Sequence, residues 1–410
     1  MDTPDDEFSK PSALKYAHRY LQFADSLLSE YSGPEPFHLY LQKYFSANKK
    51  HGSKDRRYIT SLCYNYLRLG CGVSPNTTLQ DKLLLGIFLF ETKSSAVLNE
   101  IKPEWNEKIE LDLKDKIKVS ENIFDLKKVF PFNSHLSAKI DYEEFGLSFL
   151  KQPKLFVRLR PGKELIVLDK LKAASISFQE IQTHCLVFSH NEKLSSIIKI
   201  DKEGVIQDYN SQRIGGFFQK DNLTKNAKQD RSSITVWDCC AGSGGKSILA
   251  FDILGNIKLT VTDKRESILQ NLHRRFATAG IKNYSSYKMN LADKNQHSIT
   301  SNFDLIIADV PCSGSGTWAR TPEHLTFFKE EEIEKYTMLQ KKIFENIVPH
   351  LRHDGILLYI TCSVFKEENE NNVEFFLQKF NLTLINTEYL TGYEMGADTL
   401  FVAVFRNDER

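Results

Sequence analysis

The sequence predicts an α/β domain with a mostly parallel sheet and helices on both faces, preceded by a small α+β module and an N-terminal all-α domain. Short runs of branched apolar residues, such as 305–308 and 357–360, are typical of strands buried on both faces of a parallel sheet. From residue 234 onward such runs alternate with helical patterns, as they do in βαβ units. Residues 12–115 instead show apolar side chains at helical spacing.

Length, charge and composition narrow the class of protein. With 410 residues the chain is expected to form two or three domains, here 1–125, 130–225 and 230–410. The net charge is +1, no apolar run reaches the roughly 18 residues of a membrane span, and the acidic start of the chain is unlike a signal peptide. The seven cysteines include no Cys-x-x-Cys pair, which argues against a disulfide framework or a zinc site. These features indicate a cytoplasmic protein with no membrane segment and no metal site.

The helical N-terminal region carries a cluster of basic side chains between two predicted helices. Lys50, Arg56 and Arg57 belong to this cluster, and only Asp55 opposes them within 49–57. Most clusters of this kind are solvated loops, but a basic patch is also the usual footprint of a protein that contacts phosphates. The pattern alone leaves both interpretations open.

The middle region changes to strand-like patterns: 155–159, 181–188 and 197–200 are predicted strands, and 166–174 is a predicted short helix. The first of these strands carries a second basic cluster, with Arg158 and Arg160 beside Phe156. Because bases stack on aromatic rings and arginines pair with phosphates, this cluster could contact RNA. Alternatively, Phe156 lies in the core while the arginines extend to water. The polar segment 221–233 is the predicted linker to the C-terminal domain.

A glycine-rich turn at 238–247 lies between a predicted strand and a predicted helix, an order typical of phosphate or nucleotide binding. Three interpretations compete. A P-loop would require glycine where Cys240 stands, and a dinucleotide fingerprint is matched only approximately. The third is a site for S-adenosylmethionine, whose carboxylate would suit the helix start and Lys246. Asp263, at the end of the next predicted strand, could accept both hydroxyls of a ribose.

Two cysteines follow two of the predicted core strands. Asp309 and Cys312 come after the strand at 305–308, and Cys362 comes after the strand at 357–360. Ligands of open α/β sheets bind outside the carboxyl ends of the strands, so both thiols are expected near a bound ligand. A single cysteine would be interpreted as a small buried hydrophobe, but the pair beside a cofactor loop indicates thiol chemistry.

Taken together, the motifs resemble those of a known family. Asp-x-Cys-Ala-x-x-Gly-Gly-Lys at 238–246, Asp309-x-Pro-Cys-Ser-Gly-x-Gly, and Thr361-Cys362-Ser363 followed by Glu368-Asn369-Glu370 occur in this order. They resemble the RNA cytosine-5-methyltransferases related to bacterial ribosomal RNA methyltransferase B and to the eukaryotic Nop and Sun-domain proteins. The resemblance covers about residues 234–410 and implies a Rossmann-like class I methyltransferase domain. The N-terminal region is similar, less specifically, to the NusB-like RNA-binding domain of the bacterial enzymes.

The resemblance implies roles for individual residues. It makes Cys362 the nucleophile that adds to carbon 6 of cytosine, Cys312 the residue that assists product release, and Asp309 a hydrogen-bonding partner of the N3/N4 edge. The implied contacts of S-adenosyl-L-methionine are Cys240, Ala241, Gly242, Ser243, Gly244, Gly245, Lys246, Asp263, Asn290 and Asp309. Where this chain has Gly242-Ser243, the family usually has Ala-Pro. Where this chain has Asn290, the family has the third of its acidic residues that contact the cofactor, so either Asn290 or Asp293 is expected to make that contact here.

The implied substrate is RNA, with small-subunit ribosomal RNA favoured over transfer RNA. The expected RNA contacts are Lys50, Arg56, Arg57, Arg158, Arg160 and Arg320. Two other classes were weighed: an inactive RNA-binding assembly factor, against which the intact thiols argue, and a DNA cytosine methyltransferase. DNA enzymes lack the second thiol and carry their recognition region after the catalytic core, whereas the additional mass precedes it here. The protein is expected to be a monomer.

Overall fold

The computed structural model describes residues 11–33, 35–189, 192–218, 233–293 and 299–408, which form two compact units. The first unit contains the chain up to Ser134, together with Asp141–Gln152 and Trp318–Lys329. The second contains His135–Ile140, Pro153–Thr317 and the chain from Glu330 onward. The acidic start of the chain and nearly all of the predicted linker 221–233 lie outside the described residues.

The first unit is helical, as predicted. Its labelled helices are α1 Pro11–Glu30, α2 Phe37–Ala47, α3 Ser53–Arg68, α4 Leu79–Phe90, α5 Ala96–Ile101, α6 Pro103–Asn106, α7 Leu113–Val119 and α8 Tyr142–Ser148. The hydroxyl of Thr78 caps α4 by accepting the N–H of Asp81 at 3.0 Å. Residues 83–89 of α4 are all buried, so this helix forms the centre of the unit. None of the helices in the described ranges is long and apolar enough to cross a membrane.

The segment Trp318–Lys329 also belongs to the helical unit, although it follows the Cys312 motif in sequence. The buried guanidinium of Arg68 donates to the backbone carbonyl of Ala319 at 2.7 Å. The N–H of Phe37 donates to the carboxylate of Glu323 at 3.0 Å. The domain bounds predicted from the sequence place this segment in the C-terminal domain, whereas these hydrogen bonds attach it to the N-terminal helices.

A small antiparallel sheet in the order β2-β3-β1-β4 begins the second unit. Its elements are β1 Leu155–Leu159, α9 Glu164–Ala173, β2 Gln179–Gln182, β3 Cys185–Phe188, β4 Gly204–Ile206 and α10 Tyr209–Arg213. The predicted single strand at 181–188 is two strands, because His184 adopts a positive φ of 70° in the turn between them. The predicted strand at 197–200 is wrong, because these residues follow a 3-10 turn and β4 takes the place in the sheet.

The larger sheet has seven strands in the order β10-β11-β9-β8-β5-β6-β7. The strands are β5 Ile234–Asp238, β6 Ile257–Asp263, β7 Tyr284–Lys288, β8 Phe303–Asp309, β9 Leu351–Thr361, β10 Leu382–Leu390 and β11 Leu400–Asn407. Strands β5 to β9 pair in parallel, and β10 and β11 add an antiparallel edge. The helices are α11 Gly245–Leu254, α12 Glu266–Ala279, α13 Glu331–Ile347 and α14 Glu370–Lys379.

Strand β8 shows why the sheet is buried on both faces. Leu305 and Ile307 pack into the apolar core that α11 and α12 complete on one face. Ile306 and Ala308 point to the other face and pack into the core that α13 and α14 complete. This alternation explains the continuous apolar run in the sequence. Because β5 lies between β6 and β8, the strand order reverses there, and the crevice at their carboxyl ends is the expected ligand site.

Candidate functional site

The two thiols predicted at the strand ends lie together. Cys312 Sγ and Cys362 Sγ are 3.2 Å apart, and the backbone N–H of Cys362 donates to Cys312 Sγ at 3.3 Å. The carbonyl of Cys362 in turn accepts the N–H of Gly316 at 2.9 Å. The loops after β8 and β9 are therefore hydrogen-bonded to each other around the sulfur atoms.

The surroundings distinguish the two cysteines. The hydrogen bond between the two sulfur atoms, together with burial, raises the pKa of the Cys312 thiol well above its ordinary value, although the backbone N–H of Cys362 opposes this rise. Cys312 therefore keeps its proton near neutral pH. A protonated neighbour can stabilise a thiolate on the other sulfur by hydrogen bonding to it.

Lys246 is the second residue of α11, and its side chain extends to the carboxyl end of β8. Its Nζ lies 2.6 Å from Oδ2 of Asp309 at the end of β8. Burial would lower the pKa of Lys246, but the charges of Asp309 and of a deprotonated Cys362 outweigh it and raise that pKa. The sequence-based prediction gave Lys246 to a cofactor carboxylate, whereas its partner here is the carboxylate of Asp309.

The glycine-rich loop between β5 and α11 has backbone conformations that favour glycine. Gly242 and Gly244 have positive φ angles of 53° and 84°. A Cβ on Gly244 would lie 2.5 Å from the ring of Phe276, so the loop can approach α12 only with glycine there. The first N–H groups of α11 lack intrahelical partners and point out of its start, an arrangement that binds anionic groups.

Two carboxylates end the neighbouring strands β5 and β6. Oδ2 of Asp238 accepts the hydroxyl of Ser247 at 2.6 Å, whereas its buried Oδ1 has no hydrogen-bond partner among the described residues. Burial raises the pKa of Asp238 to about 7. Asp263 accepts the N–H of Gly242 at 3.1 Å and the guanidinium of Arg265 at 3.0 and 3.1 Å. Burial alone would raise the pKa of Asp263, but these hydrogen bonds lower it on balance.

The side chain of Arg265 is 55% exposed, which bears on the predicted ribose contact of Asp263. A ribose hydroxyl can reach this carboxylate only where the guanidinium moves aside. The Asp263 side chain is only 6% exposed, so a ribose hydroxyl would have to replace the hydrogen bonds that this buried carboxylate loses. Asn290 and Asp293 lie in one turn, where the N–H of Asp293 donates to the carbonyl of Asn290 at 3.0 Å, and one or the other remains the predicted adenine contact.

Arg275 and Gln207 connect the small sheet region to the cofactor loop. The guanidinium of Arg275 binds the carboxylate of Asp201 at 2.7 and 3.0 Å and donates to the carbonyl and hydroxyl of Ser243 at 2.9 Å. The side-chain amide of Gln207 donates to the carbonyl of Gly245 at 3.4 Å. Sequence reasoning missed Arg275 because no local pattern marks it. Asp238 carried a signal, since it is an acidic residue that ends an apolar strand beside the glycines.

The predicted RNA contacts fall into two groups. Lys50 and Arg57 are exposed near the start of α3, and Arg320 is exposed in the same unit. Arg56 is partly buried because it donates to the carbonyl of His51 at 2.8 Å. All four side chains belong to the helical unit.

Arg158 and Arg160 lie in a different environment. They are 7% and 8% exposed, and their guanidinium groups bind Asp252 of α11 at 2.7 and 2.6 Å. Arg160 also donates to the carbonyl of Ala279 at 2.5 Å. An RNA contact requires an exposed cation, so this burial favours a role inside the protein for both arginines. Phe156, at 2% exposure, lies in the core as the alternative interpretation expected.

Solved structures share the fold. The crystal structure of PH0851 superposes with a TM-score of 0.67 at 17% identity, over 97% of this chain and 98% of that chain. A methyltransferase homologue from Pyrococcus horikoshii gives a TM-score of 0.54 at 18% identity, over 67% of this chain and 92% of that chain. At these identities the likeness concerns the fold alone, and it confirms the predicted class I methyltransferase architecture.

Curated relatives match the C-terminal region. The ribosomal RNA small subunit methyltransferase B of Escherichia fergusonii is 31% identical over 149 residues, which is 35% of this chain and 33% of the relative. The protein of the same name from Shigella sonnei gives the same values. The alignments thus cover about a third of the length of these relatives. A family model described as 16S rRNA methyltransferase RsmB/F matches residues 226–405, so over these residues the chain is similar to that family.

Proposed function

We propose that the protein transfers a methyl group from S-adenosyl-L-methionine to carbon 5 of a cytosine in RNA, through a covalent bond between Cys362 and carbon 6. The observation that carries this proposal is the pair of thiols 3.2 Å apart at the carboxyl ends of β8 and β9. Carbon 5 of cytosine is a weak nucleophile, and a thiolate that adds to carbon 6 makes it part of an enamine. A protein that only binds RNA has no use for two such thiols.

The loop between β5 and α11 fits the proposed cofactor. The unpartnered Oδ1 of Asp238 is buried at the strand end and could accept a hydrogen bond from the cofactor's ammonium group. Open space surrounds Gly242, since a Cβ there would meet nothing within 4 Å. Asp263 would bind the ribose hydroxyls, and Asn290 or Asp293 the adenine. When bound, S-adenosylmethionine supplies an electrophilic methyl group.

The assignment of Cys362 as nucleophile comes from the family resemblance of the Thr361-Cys362-Ser363 motif, and the surroundings of the two thiols support it. The hydrogen bond between them and burial raise the pKa of Cys312, so Cys312 is the thiol that stays protonated. The ammonium of Lys246 is close enough for a negative Cys362 to raise its pKa. A thiolate on Cys362 would therefore have a hydrogen-bond donor on one side and a cation nearby, which are the two features that activate cysteine nucleophiles.

The reaction balances with these groups. Addition of the Cys362 thiolate forms the sulfur–carbon 6 bond and moves an electron pair toward carbon 5. Carbon 5 would then take up the methyl group as the bond between that group and the cofactor's sulfur breaks, and the cofactor's sulfur would keep the electron pair of that bond. Asp309 would hydrogen-bond the N3/N4 edge and stabilise the protonated adduct. Transfer of the proton from carbon 5 to a solvent base then restores the ring double bond and expels the sulfur of Cys362 as thiolate. Cys312, 3.2 Å from that sulfur, is the group placed to assist this release.

The proposed substrate is small-subunit ribosomal RNA, and transfer RNA is the alternative. The names of the curated relatives support the first choice. The exposed cations near the start of α3 suit an RNA backbone. A monomer acting in the cytoplasm is part of the same proposal.

The test is methyl transfer from radiolabelled S-adenosylmethionine to transcripts of small-subunit ribosomal RNA and transfer RNA, with nucleosides identified by mass spectrometry. The proposal expects 5-methylcytidine in the ribosomal transcript and none with Cys362→Ala. Radiolabel in transfer RNA alone would make transfer RNA, and not ribosomal RNA, the substrate. Tight RNA binding without transfer to either transcript would instead support the inactive assembly factor. Bisulfite sequencing of RNA from a strain lacking the protein would locate the cytosine.

A further inference from the structure

Glu368 lies between the two cysteine loops and contacts both. It is completely buried, with 0% exposure. Its Oε2 accepts the backbone N–H of Ser313, the neighbour of Cys312, at 2.9 Å. Its Oε1 accepts the hydroxyl of Ser363, the neighbour of Cys362, at 2.6 Å. A single carboxylate is thus hydrogen-bonded to the residues next to both thiols.

The network around this carboxylate is closed. The side-chain amide of Gln340 on α13 donates to Oε2 of Glu368 at 2.7 Å. The hydroxyls of Ser313, Ser315 and Ser363 lie 3.1, 3.1 and 3.2 Å from one another. The three groups that contact the carboxylate, from Ser313, Gln340 and Ser363, are all hydrogen-bond donors. An ionised carboxylate can only accept hydrogen bonds, so these partners suit the charged form.

A carboxylate in this position has a cost. Burial raises the pKa of Glu368, while the hydrogen bonds from Ser313, Ser363 and Gln340 oppose the rise. An apolar side chain could fill the same space without desolvating a charge. Because the side chain has no exposed surface, it cannot contact substrate. What the carboxylate provides is one group that is hydrogen-bonded to both loops at once.

We propose that Glu368 is a positioning residue that fixes the separation between the thiols of Cys312 and Cys362. The effect of this positioning role on methyl transfer rests on the function proposed above. The sulfur–sulfur separation, by contrast, is a property of the folded protein alone. When Glu368 is replaced by glutamine, one acceptor becomes a donor. At least one of the hydrogen bonds from Ser313, Ser363 or Gln340 must then reverse or break, and the two loops are no longer held in one arrangement.

The separation can be measured by oxidation. Diamide, an azo oxidant, takes up the two thiol hydrogens as the Cys312–Cys362 disulfide forms, and peptide mapping by mass spectrometry follows that bond without RNA or cofactor. Misplacing reacting groups by about 1 Å can cost on the order of 100-fold in rate. We therefore expect Glu368→Gln to slow this disulfide by 10- to 100-fold, where ~10-fold is the least effect that supports the proposal.

Glu370→Gln is the matched control. The Glu370 carboxylate accepts hydrogen bonds from Tyr389 at 2.9 Å and from Ser137 at 2.5 Å. Neither of these partners is Ser313 or Ser363, the serines that bind Glu368. This variant should oxidise at the wild-type rate. Ser363→Ala removes the hydroxyl that joins Glu368 to the Cys362 loop, together with its contacts to Ser313 and Ser315. It should slow oxidation as Glu368→Gln does, even where Glu368→Gln does not fold. Melting temperature and affinity for S-adenosylmethionine should match wild type in the folded variants.

The outcomes separate the two proposals. Wild-type oxidation rates in Glu368→Gln and Ser363→Ala would overturn the positioning role. Slower oxidation with unchanged methyl transfer would overturn its catalytic consequence. Slower oxidation with proportionally slower adduct formation in the Cys312→Ala background would support both parts. A wild-type protein that oxidises rapidly and methylates no RNA would overturn the proposed function while the oxidation rates of the variants still decide the role of Glu368.

Discussion

The ammonium of Lys246 lies 2.6 Å from the carboxylate of Asp309, which joins the start of α11 to the carboxyl end of β8. The Lys246 side chain is only 11% exposed. The Asp309 side chain is 35% exposed, so the pair contributes more than a surface ion pair but less than a fully buried one. The pair therefore holds the cofactor loop against the strand that leads to Cys312.

Replacing Lys246 by methionine should slow methyl transfer on the order of 100-fold, as loss of one preorganised electrostatic contact at a reacting centre usually does. The physical reason is that a thiolate on Cys362 loses its nearby cation. Alkylation of Cys362 by iodoacetamide at neutral pH should slow in the same variant. The control is Lys258→Met, an exposed lysine on β6. An alkylation rate equal to wild type would remove Lys246 from thiolate stabilisation.

Separate substitution of the two cysteines should give opposite results. Cys362→Ala should form no covalent RNA complex and transfer no methyl group, because the nucleophile is missing. Cys312→Ala should still add to carbon 6 and methylate, then remain attached to the RNA. Denaturing electrophoresis should show a slowly migrating protein–RNA band with Cys312→Ala only. The reverse pattern would exchange the roles, and full methylation by both variants would make the thiols structural.

Buried parallel strands leave a strong sequence signal, which is why the sequence predicts the ends of β8 and β9 and, with them, the positions of Cys312 and Cys362. The glycine-rich loop was found for a similar reason, since Gly242 and Gly244 have backbone angles that favour glycine. The contact between the two thiols is a distance between loops from strands far apart in sequence, so no local pattern contains it.

Contacts between distant side chains explain the remaining differences. From the sequence, Arg158 and Arg160 are interpreted as an exposed basic cluster. The carboxylate that neutralises them belongs to Asp252, which is 92 residues from Arg160, so no local pattern shows the pairing. The same limit applies to Arg275, whose partners belong to other elements. The assignment of Trp318–Lys329 to the helical unit depends on hydrogen bonds from Arg68 and Phe37, which composition cannot reveal.

Replacing Arg275 by methionine should weaken the binding of S-adenosylmethionine about tenfold, which corresponds to ~1.4 kcal/mol. The guanidinium holds the carbonyl and hydroxyl of Ser243 in the cofactor loop, so its loss lets the loop sample other arrangements. Calorimetric titration measures the effect. The neighbouring exposed Arg274 on the same helix supplies the control, Arg274→Met. Equal affinities in the two variants would show that Arg275 does not organise the loop.

Replacing Asp252 by asparagine should destabilise the protein by about 3–5 kcal/mol, because two buried guanidinium groups lose their carboxylate. The side chain of Asp252 is 4% exposed, and those of Arg158 and Arg160 are 9% and 10% exposed. Urea unfolding measures the change. Asp169→Asn, at an exposed position of α9, should have little effect. Similar stabilities in both variants would mean that solvent reaches the arginines and would reopen the question of RNA contact.

Removing the exposed charges near the start of α3 should flatten the salt dependence of RNA binding. Each lost phosphate contact lowers the slope of log affinity against log salt by roughly 0.7–0.9. If Lys50 and Arg57 each contact one phosphate, Lys50→Gln with Arg57→Gln should lower the slope by roughly 1.4–1.8. Lys108→Gln with Lys114→Gln removes the same charge from other exposed positions of the helical unit and should leave the slope close to wild type. If both double variants change the slope equally, the α3 cations act only through net charge and the basic cluster is a solvated surface.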